Sequence, residues 1–368
     1  LKKVTFNNKN NSFFETLNAE VRGYFAEKKI KQTGDFRLYL KSLILIPGAV
    51  GIYIALLTVN MPVPIALLLC GVLGMSLASI GFNVMHDSCH GSYSENKNVN
   101  YIMGMTMNAL GANAFIWKIK HNIVHHTYTN IDGVDDDIAK SPVLRHCFSQ
   151  TYKPVHKYQH IYMFPLYAIS SMLWALYTDF EKYFKSKIHN TSINNIPVKE
   201  HIIFWVSKVL YIVFYMAIPI YFVGFGPFLL GYFTASAVLG LTLALVFQLA
   251  HVVEITEFVN RTESNSEKLS LEDSWAAHQV RTTANFAMNS KAVSWFVGGL
   301  NFQVEHHLFP RVSHVHYPAL SPIVERVCKQ YGLPYNYIPS MGSAIASHFR
   351  TMKRFGQIEE EIELRMAS

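Results

Sequence analysis

IALLLCGVLGMSLASIGFNVMHDSCH, residues 65–90, decides how this chain is built. Its first part, Ile65–Phe82, carries no charge. About 20 helical residues cross a hydrocarbon layer ~30 Å thick, so the stretch is nearly long enough to span one. Its end, HDSCH at 86–90, puts His86 and His90 four residues apart. On a helix that spacing stacks both rings on one face, where they reach the same metal region. Taken alone, the pair reads equally well as two exposed polar residues at a helix end.

Working outward, three more apolar stretches match the first: Leu43–Val59, Ile202–Val223 and Phe228–Ala250. Leu43–Val59 is short and contains Pro47, so it needs tilt or local thinning of the bilayer. The connectors NMPVP (60–64) and GFGP (224–227) are turn material, and each pair of stretches reads as a helical hairpin. Neither connector holds Lys or Arg, and apart from Lys208 every basic residue lies outside the hairpins. The positive-inside rule then puts both termini and the long middle segment in the cytoplasm. Ile161–Tyr177 is apolar but contains Pro165 and mixes in Tyr, Ser and Trp. It is expected to be an interfacial or partly embedded helix rather than a span. A crossing there would put the residues after 250 on the opposite side from those around 86–126.

Half of the 368 residues are hydrophobic and 15% are charged, well below the usual quarter, which suits a chain solvated partly by lipid. The net charge of +7 gathers partly ahead of residue 43, where nine Lys/Arg face four acids. Without a regular aromatic platform this reads as a surface beside anionic lipid, not a nucleic-acid site. Cys70, Cys89, Cys147 and Cys328 lie far apart, so neither a disulfide framework nor a thiolate zinc site follows, and a reducing compartment fits. No signal peptide is visible. The expected organisation is a basic cytoplasmic segment at 1–42, a membrane domain at 43–340 and a cytoplasmic tail at 341–368. A bacterial inner membrane is favoured over the endoplasmic reticulum.

Two further histidine clusters join the first. HNIVHH at 121–126 repeats the four-residue spacing in His121 and His125, and His126 lies about 100° further round an α-helix. QVEHH at 303–307 ends in His306 and His307. His251, in FQLAHVVE, sits at the end of the last span. It reads either as a charge complement to the helix dipole or as a ligand brought near His86 by the hairpins. Eight imidazoles exceed the roughly four ligands of a zinc site and suffice for two ions with open positions. Imidazole suits iron, copper, nickel and zinc alike. Adjacent His-His pairs do not suit the opposed axial ligation of haem.

HDSCH, HNIVHH and QVEHHLFP together resemble the boxes of the membrane fatty acid desaturase superfamily, from about residue 40 to 340. Gln303, where the third box usually begins with His, is similar to front-end desaturases, as are AHQVRTTANF (277–286) and WFVGGLNFQVEHHLFP (295–310). The resemblance implies an all-α integral membrane fold: four transmembrane helices in two hairpins under a cytoplasmic helical cap holding a di-iron site. It implies two Fe ions (Fe2+/Fe3+), with O2 as co-substrate and two electrons per turnover. The product would be a cis double bond on the carboxyl side of an existing one (Δ6 or Δ5), in an acyl-CoA or acyl-lipid. By the family pattern His86, His90, His121, His125, His126, His251, His306 and His307 are the ligands.

Gln303 would then be a weak ligand or a plain hydrogen-bonding amide. Asp87, Glu254, Glu305 and Asp135 would orient imidazoles or form ordinary salt bridges. His146, His156, His160, His189, His201, His278, His314, His316 and His348 fall outside the ligand set. The chain has no HPGG haem motif, and 42 residues before the first span are fewer than the ~50 of a usual domain. Electrons are therefore expected from a separate donor, ferredoxin or cytochrome b5 with its reductase. Three other readings stay open: a hydroxylase on the same metal architecture, a membrane zinc lipid hydrolase, and a non-enzymatic haem or metal carrier.

Overall fold

The computed structural model describes residues 3–7, 11–138, 142–188, 191–193, 195–259 and 268–358. In chain order its main helices are α1 (Ser12–Lys28), α2 (Phe36–Thr58), α3 (Val63–His90), α4 (114–128), α5 (Pro154–Lys185), α6 (Val198–Val223), α7 (Phe225–His251), α8 (Trp275–Thr282), α9 (Gln303–Leu308), α10 (Tyr317–Gln330) and α11 (Met341–Phe355). Strands are confined to short pairs, such as Lys3–Phe6 running parallel to Lys268–Leu271 and Asn285–Phe286 parallel to Tyr337–Ile338.

Among the described residues five helices, α2, α3, α5, α6 and α7, are long and apolar enough to cross a membrane, where four spans were expected. The addition is α5, which contains the Ile161–Tyr177 stretch. Leu43, Leu68, Val209 and Phe222 are each more than half exposed, so the outer faces of the spans are left for lipid. Inward contacts use small residues. A Cβ on Gly74 would stand 2.4 Å from the Ala235 carbonyl oxygen, and one on Gly240 would stand 2.7 Å from the Tyr167 carbonyl oxygen. Glycine at these two points lets α3 and α5 lie directly on α7.

Both ends of α5 are linked by hydrogen bonds to segments that adjoin the histidines. At one end Gln159 Nε2 donates to the Met352 carbonyl (2.8 Å) of α11. That helix is itself tied to the residue after His251, because His348 Nδ1 donates to the Val252 carbonyl (2.7 Å). At the other end Lys182 Nζ donates to Asp136 (2.7 Å), next to the Asp135 that holds His125. Between these anchors Ser171 Oγ donates to the Ser236 carbonyl (2.7 Å). Ser236 lies fifteen residues before His251, about 22 Å along a helix.

Local winding sets the angle at which the histidines enter. A π-helical turn, Gly81–Met85, interrupts α3 just before HDSCH, and Gly91 at φ +76° ends the helix just after it. A second π-turn, Ile119–His125, replaces α winding through the second cluster. With hydrogen bonds to i+5, His121 and His126 fall one above the other, their Nε2 atoms 3.3 Å apart. The 100° offset expected for His126 on an α-helix is thereby lost, because the inserted residue widens that turn. Over the histidines lies a cap in which α1 packs Leu17, Val21 and Phe25 against Val324, Val327 and Cys328 of α10.

Candidate metal centre

The fold brings all eight predicted histidines into one buried volume. They divide into groups. His86, His90, His121 and His306 each offer a ring nitrogen, all within 4.8 Å of one another, and His125, His251 and His307 do the same. His126 stands between the groups, its ring centroid 4.6 Å from His306 and 4.4 Å from His307. A further grouping of His121 and His125 takes in Asp137.

Each ring has to be held with one nitrogen free. His125 Nδ1 donates to Asp135 (3.1 Å), His307 Nδ1 donates to Gln279 Oε1 (2.8 Å) and His251 Nδ1 donates to the Thr282 carbonyl (3.4 Å). His306 Nδ1 bonds the Tyr317 hydroxyl (3.1 Å). Asp87, next to His86 in the chain, accepts from Ser313 Oγ (2.6 Å). Asp87 Oδ2 lies 3.0 Å from His314 Nδ1, and the far nitrogen of that ring accepts from Lys41 Nζ (3.1 Å). Lys41 is buried too and donates to Asn83 Oδ1 (2.8 Å).

The opposite nitrogens have no such partners. Nε2 of His90, His125, His251, His306 and His307 is buried without a hydrogen bond, as is Nδ1 of His126. Unpaired buried polar atoms each cost ~1–3 kcal/mol, and six converging in one place is far above the usual rate. Metal ions would satisfy them. The Nε2 atoms of His86 and His121 are 3.2 Å apart, close to the ~3 Å between adjacent nitrogens that share an ion at ~2.1 Å and a right angle.

Electrostatics point the same way. Burial, then repulsion from neighbouring rings, holds His121, His126, His306 and His307 well below the usual imidazole range, in the neutral form that binds metal. His125 differs: burial pulls it down, but the Asp135 and Asp137 carboxylates carry it above its ordinary value.

The other predicted residues fare unequally. Asp87 and Asp135 touch rings, as described. Glu305 turns away: its carboxyl accepts from Tyr335 (2.6 Å) and Asn285 (2.9 Å), and burial pushes it up to about 7. Glu254 is half-exposed and pairs with Arg350 (2.6 Å). Gln303 is buried, with its Nε2 lacking a partner. His278 Nε2 donates to the Thr129 carbonyl (2.8 Å), and His189 lies outside the described residues. Gln279, Tyr317, Thr282, His314 and Lys41 had no assigned role in the sequence reading. Their only signal was Gln279's and Thr282's place inside the quoted 277–286 segment.

Below His86 a narrow apolar slot of about 30 Å³ runs between Met85, Trp117, Leu110, Trp174 and Phe247. At Leu110, Ser171 and Leu239 it meets a larger bay of about 690 Å³, lined by Leu67, Cys70, Tyr211, Tyr215, Phe228 and Tyr232.

A bundle of apolar helices crowned by a histidine-lined candidate metal centre above an apolar slot defines an integral membrane protein with an oxidoreductase-like site. Residues 58–339 match the fatty acid desaturase family, and the chain belongs to that family. It is 36% identical over 347 residues to the sn-1 linoleoyl-lipid 6-desaturase of Synechocystis sp., covering 94% of this chain and 96% of that one. It is 34% identical over 354 residues to the protein of the same name from Arthrospira platensis (96% and 94% covered). To the acyl-lipid (8-3)-desaturase of Physcomitrium patens it is 35% identical over 358 residues (96% and 74% covered). The chain is a fatty acyl desaturase, an oxidoreductase of lipid metabolism.

Proposed function

We propose that the two histidine groups hold two iron ions and that the chain inserts a cis double bond at the Δ6 position of a lipid-linked acyl chain, on the carboxyl side of an existing bond. The carrying observation is the set of six buried ring nitrogens without partners at the head of the apolar slot. His86, His90, His121 and His306 would hold one ion and His125, His251 and His307 the other, with His126 between. Bound iron supplies O2-dependent removal of hydrogen from unactivated carbon. In balance, one CH2–CH2 unit, O2, two electrons and two protons give one CH=CH and two waters. The relatives named as acyl-lipid desaturases, and Gln303 in the third box, support the lipid-linked, carboxyl-side reading.

The remaining steps belong to the chain's own residues. Asp135, Gln279, Tyr317 and Thr282 fix ring orientation, which keeps each free nitrogen aimed inward. Met85, Trp117 and Phe247 exclude water and align the alkyl chain below His86.

The ties of both α5 ends to segments that adjoin the histidines support four crossing helices with α5 embedded from one side. With the charge distribution this puts the site on the cytoplasmic side, and the cyanobacterial relatives favour a bacterial inner membrane. The catalytic domain is residues 43–340, between a basic segment and a tail. Ferredoxin or cytochrome b5 would supply the electrons.

The test is expression in a host lacking polyunsaturates, fed oleic or linoleic acid, with double-bond positions read by mass spectrometry. A Δ6 product attached to lipid is expected, together with two irons per chain. Hydroxy fatty acid without new alkene, or one zinc and no iron, would overturn the reading.

A further inference from the structure

Lys208 is the one charged residue in the Ile202–Val223 stretch, and it has no part in the chemistry described so far. Ionisable side chains at membrane depth are costly and rarely idle. This one is 4% exposed, beside Asp179 at 1%. An ammonium has three protons to donate, and Lys208 places all three: on Asp179 Oδ2 (3.0 Å), the Gly111 carbonyl (2.6 Å) and the Ala175 carbonyl (2.9 Å). The other oxygen of Asp179 accepts from Trp174 Nε1 (2.9 Å).

These contacts sit where the backbone departs from regular winding. Trp174–Thr178 is a π-turn within α5, and such a turn disturbs the regular hydrogen-bond ladder near the Ala175 carbonyl. Gly111 has φ +96°, and a Cβ there would lie 2.5 Å from the Tyr211 ring. Lys208 therefore joins α6, the π-turn of α5 and the loop ahead of the second histidine cluster at one point. Leu110 and Ala112 flank one tethered carbonyl, Trp174 and Ala175 carry the other, and all four line the slot below His86.

A buried ion pair roughly breaks even in stability against well-packed apolar residues, so holding two helices and a loop together does not by itself call for charge. Fixing the width and offset of two walls does call for directional bonds. We propose that the Lys208–Asp179 pair is a clamp that sets the Leu110–Ala112 wall against the Trp174–Ala175 wall. It thereby determines which methylenes of the acyl chain stop beside His86. Lys208 and Asp179 are positioning residues; the four wall residues touch the chain. This rests on the reading of the slot as the acyl site. A hydrophobic slot distinguishes one methylene by about 10–200-fold, so small wall movements change the position of the double bond.

The test uses the full chain in the polyunsaturate-free host, fed linoleic acid, with positional isomers quantified by mass spectrometry and the folded fraction by fluorescence-detected gel filtration. Lys208→Met, the double replacement Lys208→Leu/Asp179→Leu, and Trp174→Phe are expected to raise the ratio of neighbouring-position to main product about tenfold. An unchanged ratio in the variants that accumulate overturns the clamp, even if turnover falls. Should Lys208→Met not accumulate, the double replacement, which leaves no lone charge, decides; failing both, Trp174→Phe decides alone. Leu239→Trp separates the two readings. It fills the junction of slot and bay and is expected to abolish conversion, whereas full conversion would overturn the slot itself. Its loss of activity beside unchanged ratios in the clamp variants would overturn the clamp only.

Discussion

Four of the rings are held by four different partners: the Asp135 carboxylate, the Gln279 amide, the Tyr317 hydroxyl and the Thr282 carbonyl. Each leaves the far nitrogen free to bind. Replacing Gln279 with Leu keeps the volume but strips the acceptor from His307 Nδ1, and such changes commonly lower metal affinity 10–100-fold. Iron titration of the purified variant is expected to show that loss, with the folded fraction retained; unchanged affinity would remove Gln279 from the site. Lys41→Met tests the line from Lys41 through His314 to Asp87. It strips the donor from Asn83 Oδ1 and His314 Nε2 beside the buried Asp87 carboxylate, and a buried polar group left unsatisfied costs ~1–3 kcal/mol. The expected outcome is a lower unfolding temperature in detergent, with or without iron.

Among the elements, the π-turns matter most. Had 119–125 wound as an α-helix, His126 would have stood about 100° round from His125. Instead His126 sits over His121, while His125, still stacked on His121 at 5.3 Å, also lies 4.7 and 5.0 Å from His251 and His307 between centroids. The four-residue spacing was legible in the sequence; the extra residue in that turn was not, because π winding is favoured by contacts with neighbouring helices, not by composition. Helix contacts supply a second prediction. Gly74→Val forces a side chain against the Ala235 carbonyl, and overpacking of this kind costs ~1–3 kcal/mol. Thermal unfolding should fall while the product position stays fixed, since Gly74 lines neither slot nor site.

For the whole molecule the open question is one of sides. The four native cysteines are all buried, so single introduced cysteines can be read against a low background. Asn60→Cys and Gly226→Cys are expected to react with a membrane-impermeant maleimide added outside intact cells. Lys157→Cys and Lys187→Cys, at the two ends of α5, should react only from the cytoplasm. Labelling of Lys157→Cys and Lys187→Cys from opposite sides would make α5 a fifth crossing and break the proposed topology.

Sequence alone determined the helical membrane class and the family and pointed to the eight histidines, because charge, apolar length and short-range spacing are local properties. Ile161–Tyr177 was legible as an apolar helix, and the ties of α5 to α11 and Asp136 were not. Only the tertiary structure decided how the histidines divide, which groups hold them, and that Glu254 and Glu305 face away. The ring partners lie 10 to 31 residues away in the chain, and His314 lies 227 residues from Asp87. The proposed chemistry rests on the eight histidines visible in HDSCH, HNIVHH, QVEHH and FQLAHVVE. Where on an acyl chain that chemistry falls depends on walls that meet only after folding.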